Sequence, residues 1–566
     1  MLCKTLLLFI TLGTNLGTQG YFIESPVVEL PNGKIQGLQL TTFANKTYYS
    51  FQKIPYASPP VGTLRFKAPQ PAQNWDGILN ATFLATSCYQ LQINQVSDSE
   101  DCLFINVYTP ELPTDDQNVS LPVMFFIYGG AFLLGSSILA PPDLFVNNGV
   151  ILVSFNYRLG AFGFLSTQDE VIPGNNGLKD QLLALQWTHQ NIHLFGGNPD
   201  KITIFGQSAG SASVAYQMLN QDSVGLFAGA ILESGSFLSP WAFQRNSRQI
   251  AFNTAAILNS TFSSSNDSTA LLAFLQGVAA EDLDAAAEQY LINQTTPWDY
   301  AVSQGNLFAP VIEVKNPDAF LTRKMYGLLQ AGNIIKVPVM IGFNSEESLL
   351  FNQDPAVFQT VLEAWDAKLD LIVPNDMQIT DLEKHSEMAL SIRDIYTGGE
   401  TFGNRLGDGI RYCSDNSFTR SIIKHAEFYS TLAETYFYQF SYDGKLGNIS
   451  VHYDGAESVG HSEEAFYLFC SGLGCNFDSY VPESDRITSE RLIKLWTDFA
   501  KFQNPTPEVS ELLQNITWPP LSVVDGDFLY LDVNENLEIK NHPKSATFDE
   551  WDKLYENLGY SDFDTY

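Results

Sequence analysis

At 566 residues, with 45% hydrophobic and 13% aromatic residues, the chain is long and apolar enough to bury a large core, which excludes a disordered protein. A net charge of −33 argues against nucleic acid and anionic membrane surfaces as partners, because an acidic surface repels both.

The chain opens with "MLCKTLLLFITLGTNLGTQG", in which Lys4 precedes an apolar run from Leu6 to Leu12 and small residues at Thr18 and Gly20. Residues 1–20 read as a secretory leader, and residues 21–566 as one large domain. Eight Asn-x-Ser/Thr acceptors suit passage through the secretory pathway: Asn45, Asn80, Asn118, Asn259, Asn266, Asn293, Asn448 and Asn515. No later segment is apolar for long enough to cross a membrane as a helix, and the final "ENLGYSDFDTY" lacks a lipid-anchor or retrieval signal. The expected location is outside the cell, or the lumen of a secretory or lysosomal vesicle.

With Cys3 lost in the leader, five cysteines remain. In an oxidising compartment Cys88 with Cys102, and Cys470 with Cys475, close two short loops and leave Cys413 unpaired, although spacing alone does not fix connectivity.

Next come near-continuous apolar runs of strand length: Val123 to Tyr128, Val150 to Tyr157, Lys201 to Phe205, Gly229 to Ser234, Val337 to Phe343 and Thr435 to Tyr442. Strands buried on both faces read this way. Helical patterns separate several of them, for example Leu178 to Phe195, so the expected fold is α/β, with a large, mostly parallel central sheet covered by helices on both faces. Ala251 to Tyr290 and Asp354 to Tyr396 break the alternation and read as helical insertions.

"KITIFGQSAGSASV", Lys201 to Val214, runs from a strand into a small-residue turn with Ser208 in Gly-x-Ser-x-Gly. A nucleophile elbow needs such a strand-to-helix turn, which exposes the hydroxyl and aims the next N–H, here that of Ala209, at the substrate. Upstream, "FIYGGAFLLG" sets Gly129, Gly130 and Ala131 at another strand end, where their backbone can meet a carbonyl oxygen.

Read in order, "SEDCLFINVYTP", "IYGGAF", "FNYRLGAFGFL", "GNNGLKDQLLALQW", "NIHLFGGNPDKITIFGQSAG" and "LIKLWTDFAKFQNPTP" give the chain its resemblance to the type-B carboxylesterase/cholinesterase family of α/β-hydrolases. The resemblance implies an α/β-hydrolase fold over nearly the whole mature chain. It makes Ser208 the nucleophile and Gly130, Ala131 and Ala209 the oxyanion donors. It places the acid at Glu347 in "GFNSEES" and the base at His461 in "HSEE", with Glu464 as the neighbouring carboxylate. Ser348 and Ser462 replace family glycines beside the acid and the base. Arg65 with Glu100, and Arg158 with Asp180, match family ion pairs. Competing assignments are His452 for the base and Glu346 for the acid, the latter expected in solvent. His189 and His193 have a metal-like spacing on one helix but no third ligand, and read as a solvated face.

The implied activity is a serine esterase acting through an acyl-enzyme, with no metal or cofactor. Cholinesterases carry a cation-binding Trp where this chain has Gln92, and a Glu where it has Gln207, so the expected substrates are neutral small-molecule or lipid esters. The alternative is a storage or adhesion protein of the same fold with weak or absent catalysis.

Overall fold

The structure, a computed structural model, describes residues 25–90, 98–114, 116–294, 305–447, 449–469, 481–522 and 527–566. The leader, Gln92, Asn448 and the Cys470–Cys475 pairing lie outside the described residues.

Strands form where β-branched and aromatic residues run together. In chain order they are β1 (Val27–Leu30), β2 (Gly33–Gln36), β3 (Leu38–Thr41), β4 (Thr47–Pro55), β5 (Ile78–Asn80), β6 (Phe104–Thr109) and β7 (Leu121–Ile127). There follow β8 (Ile151–Phe155), β9 (Gly197–Gln207), β10 (Gly229–Glu233), β11 (Val339–Asn344), β12 (Thr435–Phe440), β13 (Leu529–Val533) and β14 (Leu537–Asn541). β1, β2 and β5 make a small sheet, and the other eleven join in the order β14-β13-β12-β11-β10-β9-β7-β8-β6-β4-β3.

From β8 to β13 every pairing in that order is parallel. The flanks are antiparallel: β14 on one edge, and β6, β4 and β3 on the other. These flanking strands were not among the predicted runs. β3 is half-exposed and β14 mostly exposed, so neither carries the continuous apolar signature of a central strand.

Every residue of β8, β10, β11 and β12 is buried, which is why they read as unbroken apolar runs. The first insertion supplies the helices Ser247–Leu258, Ser268–Gly277 and Ala280–Gln294 between β10 and β11. The second supplies Pro355–Ala367 and Leu382–Thr397 between β11 and β12.

They are anchored separately. Arg65 holds the first by donating to Leu275 O and Val278 O, each at 2.7 Å, while forming a bidentate pair with Glu100. The second is tied to the helix Ser545–Asn557 through Trp551 Nε1, which donates to Tyr396 Oη at 2.7 Å. Arg158 makes the other expected pair, bidentate to the fully buried Asp180.

Cys88 and Cys102 are joined by a disulfide, with Cα atoms 5.0 Å apart, and Cys413 has no disulfide partner among the described residues. Of the glycan acceptors, Asn45, Asn80, Asn118, Asn266, Asn293 and Asn515 are exposed and Asn259 is half-buried. Among the described residues no helix is long and apolar enough to cross a membrane.

Candidate active site

β9 ends at Gln207 and the helix Ala209–Leu219 starts two residues on, so Ser208 alone makes the turn. Its φ of 59° with ψ of −124° is a conformation that non-glycine residues rarely adopt. Bonds on both sides hold it there: Ser208 N–H donates to Glu233 O at 2.8 Å, and Ser208 O accepts from Ala212 N–H at 3.0 Å.

The flanking glycines answer to backbone contact. A methyl on Gly210 would lie 1.9 Å from Ile127 O, and one on Gly206 2.5 Å from the same oxygen. Neither residue has a positive φ. The sequence suggests that side chains are missing there to let a substrate carbonyl approach. The structure corrects this: the elbow rests directly on the carboxyl end of β7, and only glycine leaves room for that carbonyl.

The loop after β7 lies against the same serine, since a methyl on Gly129 would come 2.9 Å from Ser208 Cβ. Gly130, Ala131 and Phe132 all have positive φ, at 109°, 58° and 62°. The N–H groups of Gly130 and Ala131 have no acceptor among the described residues, and Ala209 N–H is one of the unbonded donors of a helix start. That helix end also carries a partial positive charge.

Glu347 opens a short 3₁₀ turn, Glu347–Phe351, just beyond β11, and His461 lies between β12 and the helix Glu463–Phe469. His461 Nε2 is 2.8 Å from Ser208 Oγ, and His461 Nδ1 is 2.5 Å from Glu347 Oε2. Glu347 and His461 are buried while Ser208 is partly open. Two backbone donations hold these residues: Asn344 N–H to Glu347 Oε1 at 2.8 Å, and His461 N–H to Glu347 O at 3.1 Å. Gln207 Nε2 lies 3.3 Å from His461 Nε2 and carries no charge.

The rival residues stand elsewhere. His452 is 54% exposed and faces Asp443 at 4.0 Å. Glu346 was expected in solvent, but it is buried and accepts from Glu457 N–H at 3.0 Å, and burial pushes its carboxyl up to about 7. His193 is exposed and His189 half-buried.

The two serines that replace family glycines are accommodated differently. Ser348 Oγ donates to Ile410 O at 2.8 Å and Ser348 N–H donates to Ser414 Oγ at 3.0 Å, so its hydroxyl leaves the Glu347–His461 bond alone. Ser462 has a φ of 70°, in the left-handed region that favours glycine. Ser462→Gly is therefore expected to raise stability by about 0.5 to 1 kcal/mol, strain relief exceeding the added freedom of the unfolded chain. Urea midpoints check this, with ester turnover unchanged; a lowered midpoint contradicts it.

An aromatic wall stands beside His461. The Phe418 ring centroid is 4.6 Å from that of His461, and Phe351 is 5.7 Å away. Trp241 continues the wall, 5.7 Å from Phe418 and 6.4 Å from Phe132. Phe418 stands on one π-helical turn, Asp415–Thr419, between the helices Leu406–Ser414 and Arg420–Ser430. Such turns recur at functional sites. Sequence reasoning assigned no role to Phe351, Phe418 or Asn344, although Phe351 and Asn344 lie in or beside the "GFNSEES" segment.

A family model described as the carboxylesterase family matches residues 24–551. The chain is 34% identical over 520 residues to esterase FE4 of Myzus persicae, covering 89% of this chain and 88% of that one. It is 33% identical over 531 residues to the juvenile hormone esterase of Tribolium castaneum, covering 89% and 87%. The solved structure of juvenile hormone esterase from Manduca sexta, with OTFP covalently attached, superposes with a TM-score of 0.81 at 29% identity, covering 94% of this chain and 100% of that one. With a parallel-centred sheet flanked by helices and matches spanning nearly its whole length, the chain belongs to the carboxylesterase family of α/β-hydrolases and is a carboxylic ester hydrolase.

Proposed function

We propose that the protein hydrolyses neutral carboxylic esters through an acyl-enzyme on Ser208, with His461 as base and Glu347 as the acid that orients it. The unbroken contact chain from Glu347 through His461 to Ser208 carries this reading. A serine hydroxyl is a weak nucleophile until a neighbouring base takes its proton. In the proposed first half-reaction, Ser208 Oγ attacks the ester carbon while His461 Nε2 accepts the hydroxyl proton. Glu347 holds Nδ1–H and stabilises the imidazolium. The N–H groups of Gly130, Ala131 and Ala209 receive the developing oxyanion, and His461 returns the proton to the departing alcohol oxygen. Water then attacks the acyl-enzyme with the same base, releasing the acid and restoring Ser208.

Two features support neutral esters. Gln207 brings no charge beside the base, and the wall of Phe351, Phe418 and Trp241 offers an apolar surface to an acyl or alcohol group. A leader over residues 1–20, glycans on the exposed acceptors and export of a single domain belong to the same proposal.

The test is incubation of the secreted protein with an organophosphonate, followed by peptide mass analysis and hydrolysis of p-nitrophenyl esters of graded acyl length. One adduct per chain on the peptide containing Ser208, with proportional loss of hydrolysis, is expected. Hydrolysis that survives full labelling, or an adduct on another residue, refutes the assignment.

A further inference from the structure

Behind Glu347 lies a group of buried polar atoms that the hydrolytic cycle does not use. Glu233 ends β10, and its register partner across the sheet is Gly342 of β11, which in turn pairs with Tyr438 of β12. These three residues therefore share one face of the sheet, and Asn344, two residues beyond Gly342, shares it too. Gly342 leaves a gap that the Tyr438 ring fills: a methyl there would lie 2.4 Å from Tyr438 Cδ1. Trp496 Nε1 fixes one Glu233 oxygen, Oε1, at 2.6 Å.

From the other side comes Glu464, three residues after His461. Its Oε2 accepts from Asn344 Nδ2, which also donates to Gly460 O at 2.7 Å. Asn344 thus grips the segment bearing His461 on both sides of that residue, while its backbone N–H holds Glu347 Oε1.

Glu233, Asn344, Tyr438 and Glu464 are all fully buried. Glu233 Oε2, Asn344 Oδ1, Glu464 Oε1 and the Tyr438 hydroxyl have no partner among the described residues. Three of these atoms are acceptors when both carboxyls are ionised, and one phenolic proton serves only one of them. No Lys or Arg among the described residues pairs with either carboxylate, and Glu347 adds a third negative charge. Glu463 turns away, accepting from Gly460 N–H at 2.6 Å. Unpaired buried carboxylates are costly enough that such a group takes up a proton instead.

We propose that Glu464 is a positioning residue that works in its neutral form: Oε2 holds Asn344, and a proton on Oε1 is shared with Glu233. The proton is gained from solvent on folding, forming one carboxyl O–H bond, and no bond between heavy atoms changes. Burial agrees with this: reinforced by the charges of Glu233 and Glu347 it raises the Glu464 carboxyl well above its ordinary range, and against the Trp496 hydrogen bond it raises that of Glu233 to about 7. The consequence is that Glu464 and Glu233 together carry one negative charge rather than two behind Glu347, in a clamp whose shape depends on that proton. The inference rests on the Ser208–His461–Glu347 reading above.

The experiment compares Glu464→Gln and Glu464→Ala in the full-length protein, after wild type has been titrated at Ser208 with an organophosphonate. The amide of Glu464→Gln copies a protonated carboxyl, accepting from Asn344 and donating to Glu233. It is expected to keep kcat within about threefold, while Glu464→Ala lowers kcat about 100-fold with little change in KM, as displaced catalytic groups do. Glutamine as damaging as alanine shows that a charge is required and overturns the proposal; full activity in both shows that Glu464 positions nothing. If Glu464→Ala does not fold, the infrared difference between wild type and Glu464→Gln at neutral pH decides. A protonated-carboxyl band lost in the variant supports the neutral acid, and its absence from wild type refutes it. Failure of wild type to titrate at Ser208 rejects the catalytic reading instead, and the infrared result stands apart from it.

Discussion

Ser208→Ala and His461→Ala are each expected to lower kcat by roughly 10⁴-fold or more, and the double variant to be no worse than either single one. The geometry requires both parts of this result. His461 Nε2 and Ser208 Oγ are in direct contact at 2.8 Å, and each is useless to the proposed first step without the other. Once the hydroxyl is gone there is no proton for the base to take; once the base is gone the hydroxyl attacks only as a weak nucleophile. KM is expected to move little, because neither group is proposed to hold the ester before reaction. Single-turnover hydrolysis of a p-nitrophenyl ester by the three variants checks this, with circular dichroism confirming that each is folded. Additive losses in the double variant contradict a shared step.

The second large effect is structural. Gly210→Ala places a methyl 1.9 Å from Ile127 O and within 2.9 Å of the Ile127 and Tyr128 carbonyl carbons, all of them backbone atoms that cannot swing aside. Either β7 or the elbow must move, at an expected cost of about 3 kcal/mol, the upper range for overpacking a tight interior. Because Ser208 rides on that turn, kcat is expected to fall about 100-fold in whatever fraction still folds. Gly277→Ala is the control: it stands in the helix Ser268–Gly277 with open space where its methyl would go, and is expected to be neutral or stabilising by up to about 1 kcal/mol. Urea midpoints of the two variants decide the point. Equal effects would mean that glycine freedom, rather than contact with β7, governs the elbow.

The elbow shows how far the sequence could be read. Its position, its serine and its two glycines were visible because a strand pattern runs straight into a small-residue turn. The reason for the glycines was not visible, because Ile127 is remote in sequence and reaches the turn only once β7 pairs with β9.

The central strands were legible for a related reason: burial on both faces forces a continuous apolar run. The edge strands β3 and β14 carry no such run, since an edge strand keeps part of its surface in water. The acid and base came from family resemblance, and their contact at 2.5 Å is what the three-dimensional structure adds. Phe418 illustrates what stays hidden. It stands on a π-helical turn 43 residues before His461 and meets that ring only in the folded chain, so the ring beside His461 could not be foreseen. Asn344 stood in plain sight within a quoted motif. Its part in gripping two segments depends on the approach of the helix Glu463–Phe469, more than a hundred residues later.

The two helical insertions leave the sheet after β10 and β11, whereas Ser208 and Glu347 stand within a few residues of strand ends that the parallel pairing fixes. Strand ends and insertions are thus separately held parts of one chain. A change inside an insertion need not disturb the strand ends, because the insertions have their own anchors at Arg65 and Tyr396.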